Sequence, residues 1–414
     1  MKIVHLCTSD TGGAAQAAIR LHKGLLKQGI QSSFFSKYNG GTRIPHHKSI
    51  KRHKSIRHYL DYGLEHYILK GMFPPNRHYS EDTVLFTSPH ALSHPERSQL
   101  IKDADIIHLH WTSHFLDYGH FFKNVHKPVI WTLHDMNPFT GGCHYSGECT
   151  GFKAECDYCP QLLNTNQPRA SVEYLNYKIK SLSLFKNLHI VSPSTWLLDL
   201  SEKSRLFQDL PHHHIQNGFD THQFTLKDKL ECKKLWNIPV DRINLLFAAH
   251  TLKMKMKGFD LLLSALKLLP KGSFHLTVVG KNIDDSALQG FPFKVVGYIG
   301  SEQQMATLYN AADLFVTPSL RDNLPNTVAE SLLCGTPVVG FRIGGIAEMI
   351  VDGFNGYFAE NQSPESLAGA IIKYQKNPEY FENQKIAAHA KAKYDIMICV
   401  EKYLSLYKSV NTQR

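Results

Sequence analysis

Asp322 and Glu330 stand eight positions apart in DLFVTPSLRDNLPNTVAESLLCGTPVVGF, the stretch from Asp313 to Phe341, and offer this chain's richest chemistry. The stretch reads as strand, polar loop, short helix and second strand. In an open parallel sheet, ligands collect where loops leave the carboxyl ends of strands, and Arg321 to Asn326 occupies such a place. Glu330 lies one turn inside the helix, and its carboxylate can accept two hydrogen bonds at once, as the vicinal hydroxyls of a ribose require. Free amides at the helix start suit a phosphate. A diol and a diphosphate together describe a nucleotide sugar. Taken alone, Thr327-x-x-Glu330 is equally a capping box, in which Glu330 has only a local structural duty.

Four further groups of residues could do chemistry. Lys257 precedes Gly258 in LKMKMKGFDLLLSAL, after a buried strand and at a helix start, where its ammonium and the helix dipole both favour an anion. The plain alternative is a solvated basic loop. His134-Asp135 ends the apolar run VIWTL, again at the carboxyl edge of a sheet; a histidine satisfied inside its own loop is the alternative. Thr11-Gly12-Gly13-Ala14-Ala15 follows the first strand, and its glycines either let the backbone approach a ligand or make a tight turn. Cys143, Cys149, Cys156 and Cys159 form a C-x5-C-x6-C-x2-C arrangement. Four thiolates in so short a loop suit a tetrahedral structural zinc with no open position; free thiols, a disulfide pair or an iron–sulfur cluster are the other readings.

The elements that must position these residues alternate. Lys2 to Cys7, Asp105 to His110, Val129 to Leu133 and His189 to Ser192 read as strands, with helices over Ala14 to Gln28 and Leu197 to Phe207. A second series has strands over Ile243 to Ala249, His275 to Gly280 and Phe293 to Val296 and helices over Leu261 to Leu269 and Gln303 to Asn310. Two parallel α/β halves follow, joined near Asn217 to Leu226. The tail from Tyr394 to Tyr407 reads as a terminal helix.

The stretch holding Asp322 and Glu330 resembles the donor-site motif of the retaining family 4 glycosyltransferases, also called glycosyltransferases group 1. In that motif an acidic residue is followed eight positions later by a glutamate. Ile215-Gln216-Asn217-Gly218-Phe219-Asp220 with Phe224 is similar to the family's turn at the domain junction. The resemblance implies the α/β GT-B fold: two Rossmann-like domains facing across a cleft, with a C-terminal helix crossing back to the first. It implies an acceptor-side domain over residues 1–222 with a Cys-rich insertion at 140–162, a donor domain over 223–393 and the returning helix over 394–414. Glu330 would hold the donor ribose, Asp322 would sit beside the transferred sugar, and the amides of Asn323 and Leu324 would reach phosphates or sugar. Lys257 would meet the diphosphate. The family's loop also carries an arginine; none occurs between Ile243 and Gly258, so that work falls to His250, Lys253 or Lys255. His134 would contact and orient the sugar, with Asp135 behind it, and Gly12 and Gly13 would floor the cleft.

The expected activity is metal-independent, retaining transfer of a sugar from a UDP- or GDP-sugar to a hydroxyl of a glycan or lipid-linked saccharide, in cell-surface polysaccharide assembly. A nucleotide-sugar epimerase of the same fold and a non-catalytic nucleotide-sugar or glycan binding protein are its rivals.

Composition bounds the rest. The chain has 414 residues, 43% hydrophobic and 20% charged, an ordinary folded composition without an apolar run long enough for a membrane span. MKIVHLCTSDTGG reads as a buried strand, so cytosolic residence is expected. A net charge of +10 calls for an anionic partner. Between Arg43 and Arg77 eight Lys or Arg stand against Asp61 and Glu65, and Ile56, Leu60, Leu64, Tyr67 and Ile68 recur at helical spacing. Such a helix packs on the core with a solvated basic face or lies on the anionic inner face of a membrane. Nucleic acid is not expected, because no recognition motif accompanies the charge.

Overall fold

The runs IIHL, VIWT, LFVT and VVGF are buried at every position, as strands covered on both faces must be. A computed structural model, describing residues 1–52, 85–163, 168–282 and 285–412, puts them inside two parallel sheets. The first contains β1 (Lys2–Cys7), β2 (Gln31–Asn39), β3 (His47–Arg52), β4 (Ile106–Leu109), β5 (Val129–Thr132), β6 (Leu188–Ser192) and β7 (His212–His214), in the order β3-β2-β1-β4-β5-β6-β7. The second contains β8 (Ile243–Thr251), β9 (Phe274–Lys281), β10 (Phe293–Gly297), β11 (Leu314–Thr317), β12 (Val338–Phe341) and β13 (Gly356–Ala359), in the order β10-β9-β8-β11-β12-β13.

In each sheet the strand order reverses at the first strand. β1 lies between β2 and β4, with Ile3 opposite Ile106, and β8 lies between β9 and β11, with Leu245 opposite Leu314. Helices leave such adjacent strands on opposite faces, which opens a crevice at their carboxyl ends. The loops after β1 and β4, and those after β8 and β11, therefore occupy the two places where a doubly wound sheet can take a ligand.

The chain divides into one unit of Met1–Asn217 with Cys399–Arg414 and another of Gly218–Ile398. The last helix, Ile396–Thr412, is largely part of the first unit: its Tyr403 and Tyr407 hydroxyls lie 2.6 Å from Thr132 Oγ1 and 2.7 Å from His108 Nδ1. This helix starts later than the sequence suggests. An earlier helix ends at Tyr394, where Phe219 accepts from the Ile396 amide and donates to Tyr394, and the Asp395 carboxylate caps the new helix through the Met397 amide.

The helix expected over Leu197 to Phe207 spans Thr195–Glu202 instead. Ser194 caps it, and the Ser204 hydroxyl bonds Ser201 O and the Phe207 amide, diverting backbone partners that a longer helix would need. The basic segment beyond residue 52, with Ile56 through Ile68, lies outside the described residues. Among those described, no helix is long and apolar enough to cross a membrane.

Candidate functional site

In the Gly218–Ile398 unit, the loops after β8 and β11 are built against each other. The Leu320 amide donates to Met256 O at 2.8 Å. Gly258 has φ +70°, and a Cβ there would overlap the Pro318 carbonyl oxygen, so only glycine fits both the turn and the contact. Gly258→Ala is expected to cost about 2–4 kcal/mol, seen as a lower urea midpoint. An unchanged midpoint would mean that the two loops do not touch.

This packing brings Lys257 Nζ to 2.5 Å from Asp322 Oδ2, an ion pair whose carboxylate is nearly buried. The Asn323 amide donates to Asp322 Oδ1 at 3.1 Å, and Leu324 is buried beside it. The following helix, Asn326–Leu333, begins after Pro325, which supplies no side-chain cap. Thr327 thus lies inside the first turn, and the capping box does not form. Glu330 is instead buried, its Oε2 accepting from the Tyr309 hydroxyl at 3.0 Å. Tyr309 escaped the sequence reading because it looks like one more core aromatic of its helix; only the fold shows its hydroxyl aimed at a carboxylate.

The remaining basic residues are less closely gathered. Lys253 and Lys255 are exposed in the loop. The His250 ring meets the Tyr298 ring edge-on at 5.3 Å, and Lys281 lies over the same tyrosine. Partial burial, followed by the Lys281 charge, pushes the His250 pKa down.

In the other unit, Gly12 has φ +96° and precedes the Gly13–Lys27 helix. Asp10 receives the Gly40 and Thr42 amides, while Thr8 is tied to Trp111 and Ser113, so the loops after β1, β2 and β4 form one hydrogen-bonded edge. Asp135 is the hub of this edge. Its Oδ2 accepts from Trp111 Nε1 at 2.8 Å and pairs with His144 Nδ1 at 2.6 Å, and its Oδ1 accepts from the Asn137 amide. Burial alone would raise its pKa, but the His144 charge and these hydrogen bonds outweigh burial and hold it below the usual carboxylate range. Sequence spacing gave no sign of Trp111 or His144 as its partners.

Behind His134 runs a file of rings. His134 Nε2 lies 3.2 Å from His110 Nδ1, and His110 Nε2 lies 3.0 Å from His5 Nδ1. His108 is held by Tyr407 and by Thr132 Oγ1 at 2.7 Å. Burial lowers His108 to about 3 and His134 to about 4, with Asp135 opposing the shift of His134. His5 and His110 are pushed well below the ordinary value for the same first reason.

These rings are neutral in the folded protein at neutral pH, whereas the unfolded chain takes up protons below about pH 6.5. Their contribution to stability is complete above that pH and is lost as pH falls toward the folded values, up to about 1.4 kcal/mol per ring per pH unit. Thermal midpoints should fall steadily from about pH 6.5 to 4.5. A flat profile would contradict a buried neutral file.

Cys143, Cys149, Cys156 and Cys159 line one small cavity with Phe86 and Phe152. No three of their sulfurs lie within 4.8 Å of one another; among the described residues, the groups that meet that spacing are His5, His108 and His110, and His94, Glu96 and His120.

Residues 242–377 match the family described as glycosyl transferases group 1. A putative colanic acid biosynthesis glycosyl transferase of Escherichia coli K12 is 23% identical over 359 residues, covering 82% of this chain and 82% of that one. An N,N'-diacetylbacillosaminyl-diphospho-undecaprenol alpha-1,3-N-acetylgalactosaminyltransferase of Campylobacter jejuni is 29% identical over 150 residues, 36% of this chain and 40% of that one. The chain spans 36% and 65% of the length of two uncharacterized glycosyltransferases of Methanocaldococcus jannaschii that it also matches. Among solved structures, Anabaena HepE in complex with UDP and glucose superimposes with a TM-score of 0.68 at 16% identity, over 99% of this chain and 100% of that one.

Proposed function

We propose that this chain, which belongs to the glycosyl transferases group 1 and has the two-domain α/β GT-B fold, is a retaining glycosyltransferase using a nucleoside-diphosphate sugar. The observation that carries this is the constellation at the switch point of the second sheet: the Lys257–Asp322 pair with Asn323 beside it, and Glu330 held by Tyr309 in the next helix. Glu330 anchors the ribose diol. Lys257 faces the diphosphate, with Lys253, Lys255 and His250 as further positive groups of that unit. Asp322, already oriented by its lysine and by the Asn323 amide, positions the sugar. Gly12, Gly13 and His134, at the carboxyl edge of the first sheet, are assigned contacts with the sugar substrates, and Asp135 fixes the His134 corner.

In the reaction, the bond from the anomeric carbon to the diphosphate oxygen breaks and a bond to the acceptor oxygen forms on the same face. The acceptor proton passes to the departing diphosphate. That leaving group gains negative charge as the bond opens, and the Lys257 ammonium, held in place by Asp322, is assigned to stabilise it. The acceptor is assigned to a glycan or lipid-linked saccharide of a cell-surface polysaccharide pathway. The names of the Escherichia coli and Campylobacter relatives support that setting.

The test is incubation of the purified protein with candidate nucleotide sugars and diphospho-lipid-linked saccharides, with the product's anomeric configuration read by NMR. Transfer with the donor's configuration kept is expected. Conversion of the donor sugar without any acceptor would point to an epimerase and sink the proposal.

A further inference from the structure

Residues 133–163 contain two short 3-10 turns, Asn137–Phe139 and Gly151–Lys153, and one isolated bridge, Cys143 opposite Phe86, yet Phe139, Thr140, Phe152 and Leu162 of this stretch are buried. So long a stretch without helix or strand needs some other source of order. Its four cysteines share a cavity. The Cys149 sulfur also accepts the Gly151 backbone N–H at 3.5 Å. An amide two residues beyond a cysteine, aimed back at its sulfur, is the kind of outer hydrogen bond that orients and tunes a metal-bound thiolate.

Cys156 itself has φ +53°, a left-handed conformation that a non-glycine residue keeps only where its surroundings over-determine it. Lys178 is fully buried, and its side chain donates to Asn137 O and Thr140 O, pinning the first part of this loop from the neighbouring helix.

We infer that Cys143, Cys149, Cys156 and Cys159 form a structural zinc site that clamps this loop. Zinc favours four thiolates in a closed tetrahedron, so its binding would draw the four sulfurs inward from the wall of the cavity they share. The two tighter clusters are poorer candidates. Both nitrogens of His108 are engaged by Tyr407 and Thr132, and His120 of the other cluster is exposed. The clamp would reach the edge described above through the residue next to Cys143. His144 joins Asp135 to Thr87, so ordering the loop orders the corner that carries His134.

The full chain, purified without chelators, should hold about one zinc per molecule by plasma mass spectrometry, with zinc–sulfur distances near about 2.3 Å by X-ray absorption. Mercurial titration of the native thiols should release it. Zinc content should drop at least about tenfold in Cys156→Ser and Cys159→Ser and stay unchanged in Cys232→Ala, a cysteine of the other unit. Because the serine variants could fail to fold, the native titration stands by itself. Folded native protein that holds less than about a tenth of a zinc per chain, even after incubation with micromolar zinc, overturns the site. So do disulfides among these cysteines by mass mapping, or iron in place of zinc.

Discussion

Lys257→Ala lowers kcat for sugar transfer by about 10²–10³-fold, with a smaller change in donor affinity. The diphosphate is already anionic in the bound donor, so part of the lysine's attraction is spent equally before and during reaction. The remainder grows with the charge that appears as the glycosidic bond opens, and only that part speeds the chemistry. The substitution also leaves Asp322 without its partner at 2.5 Å in a nearly buried position. Lys257→Arg separates the effects, since it keeps the charge but changes the reach; it should recover donor affinity more than turnover. Equal kcat in the alanine variant and the native enzyme would remove Lys257 from the reaction.

Glu330→Ala weakens donor binding by about 2–4 kcal/mol, or about 30- to 1000-fold in Kd, because each hydrogen bond to a charged acceptor is worth about 1.5–3 kcal/mol. Glu330 is buried, and a packing role must be told apart from a ligand role. Tyr309→Phe makes the distinction. It removes the hydroxyl 3.0 Å from Glu330 Oε2 but keeps both the ring and the carboxylate. A loss of about tenfold or less in affinity, with little change in melting temperature, is expected for a residue that only orients the carboxylate. If Glu330→Ala bound donor as tightly as the native chain while melting earlier, the glutamate would be a core residue and no more.

The strands that carry the site were legible because buried parallel strands leave continuous apolar runs, and Lys2–Cys7 was read with its observed limits. β2, β3, β7 and β13 are not among the strands the sequence predicts. β3 (HKSIKR) and β7 (HHH) carry no apolar run, and their strand character comes from pairing with β2 and β6. Individual site residues were legible by type and by place at strand ends. Their mutual contacts were not, because Lys257 and Asp322 are 65 residues apart and meet only through the packing of Gly258 on Pro318. Asp135 shows the same limit at short range: its partner His144 is nine residues away across an irregular loop that no periodicity describes. For Glu330, one local pattern fitted two structures, and the helix start at Asn326 after an uncapped Pro325 decided between them.

The central claim is that this chain holds a nucleoside-diphosphate sugar at the Lys257, Asp322 and Glu330 site. Isothermal calorimetry of the native chain against UDP-, GDP- and ADP-sugars tests it most directly. The account predicts saturable binding of one nucleotide class, with the free nucleoside diphosphate competing. No heat and no competition with any of these donors, in protein whose melting curve shows it folded, would contradict the account.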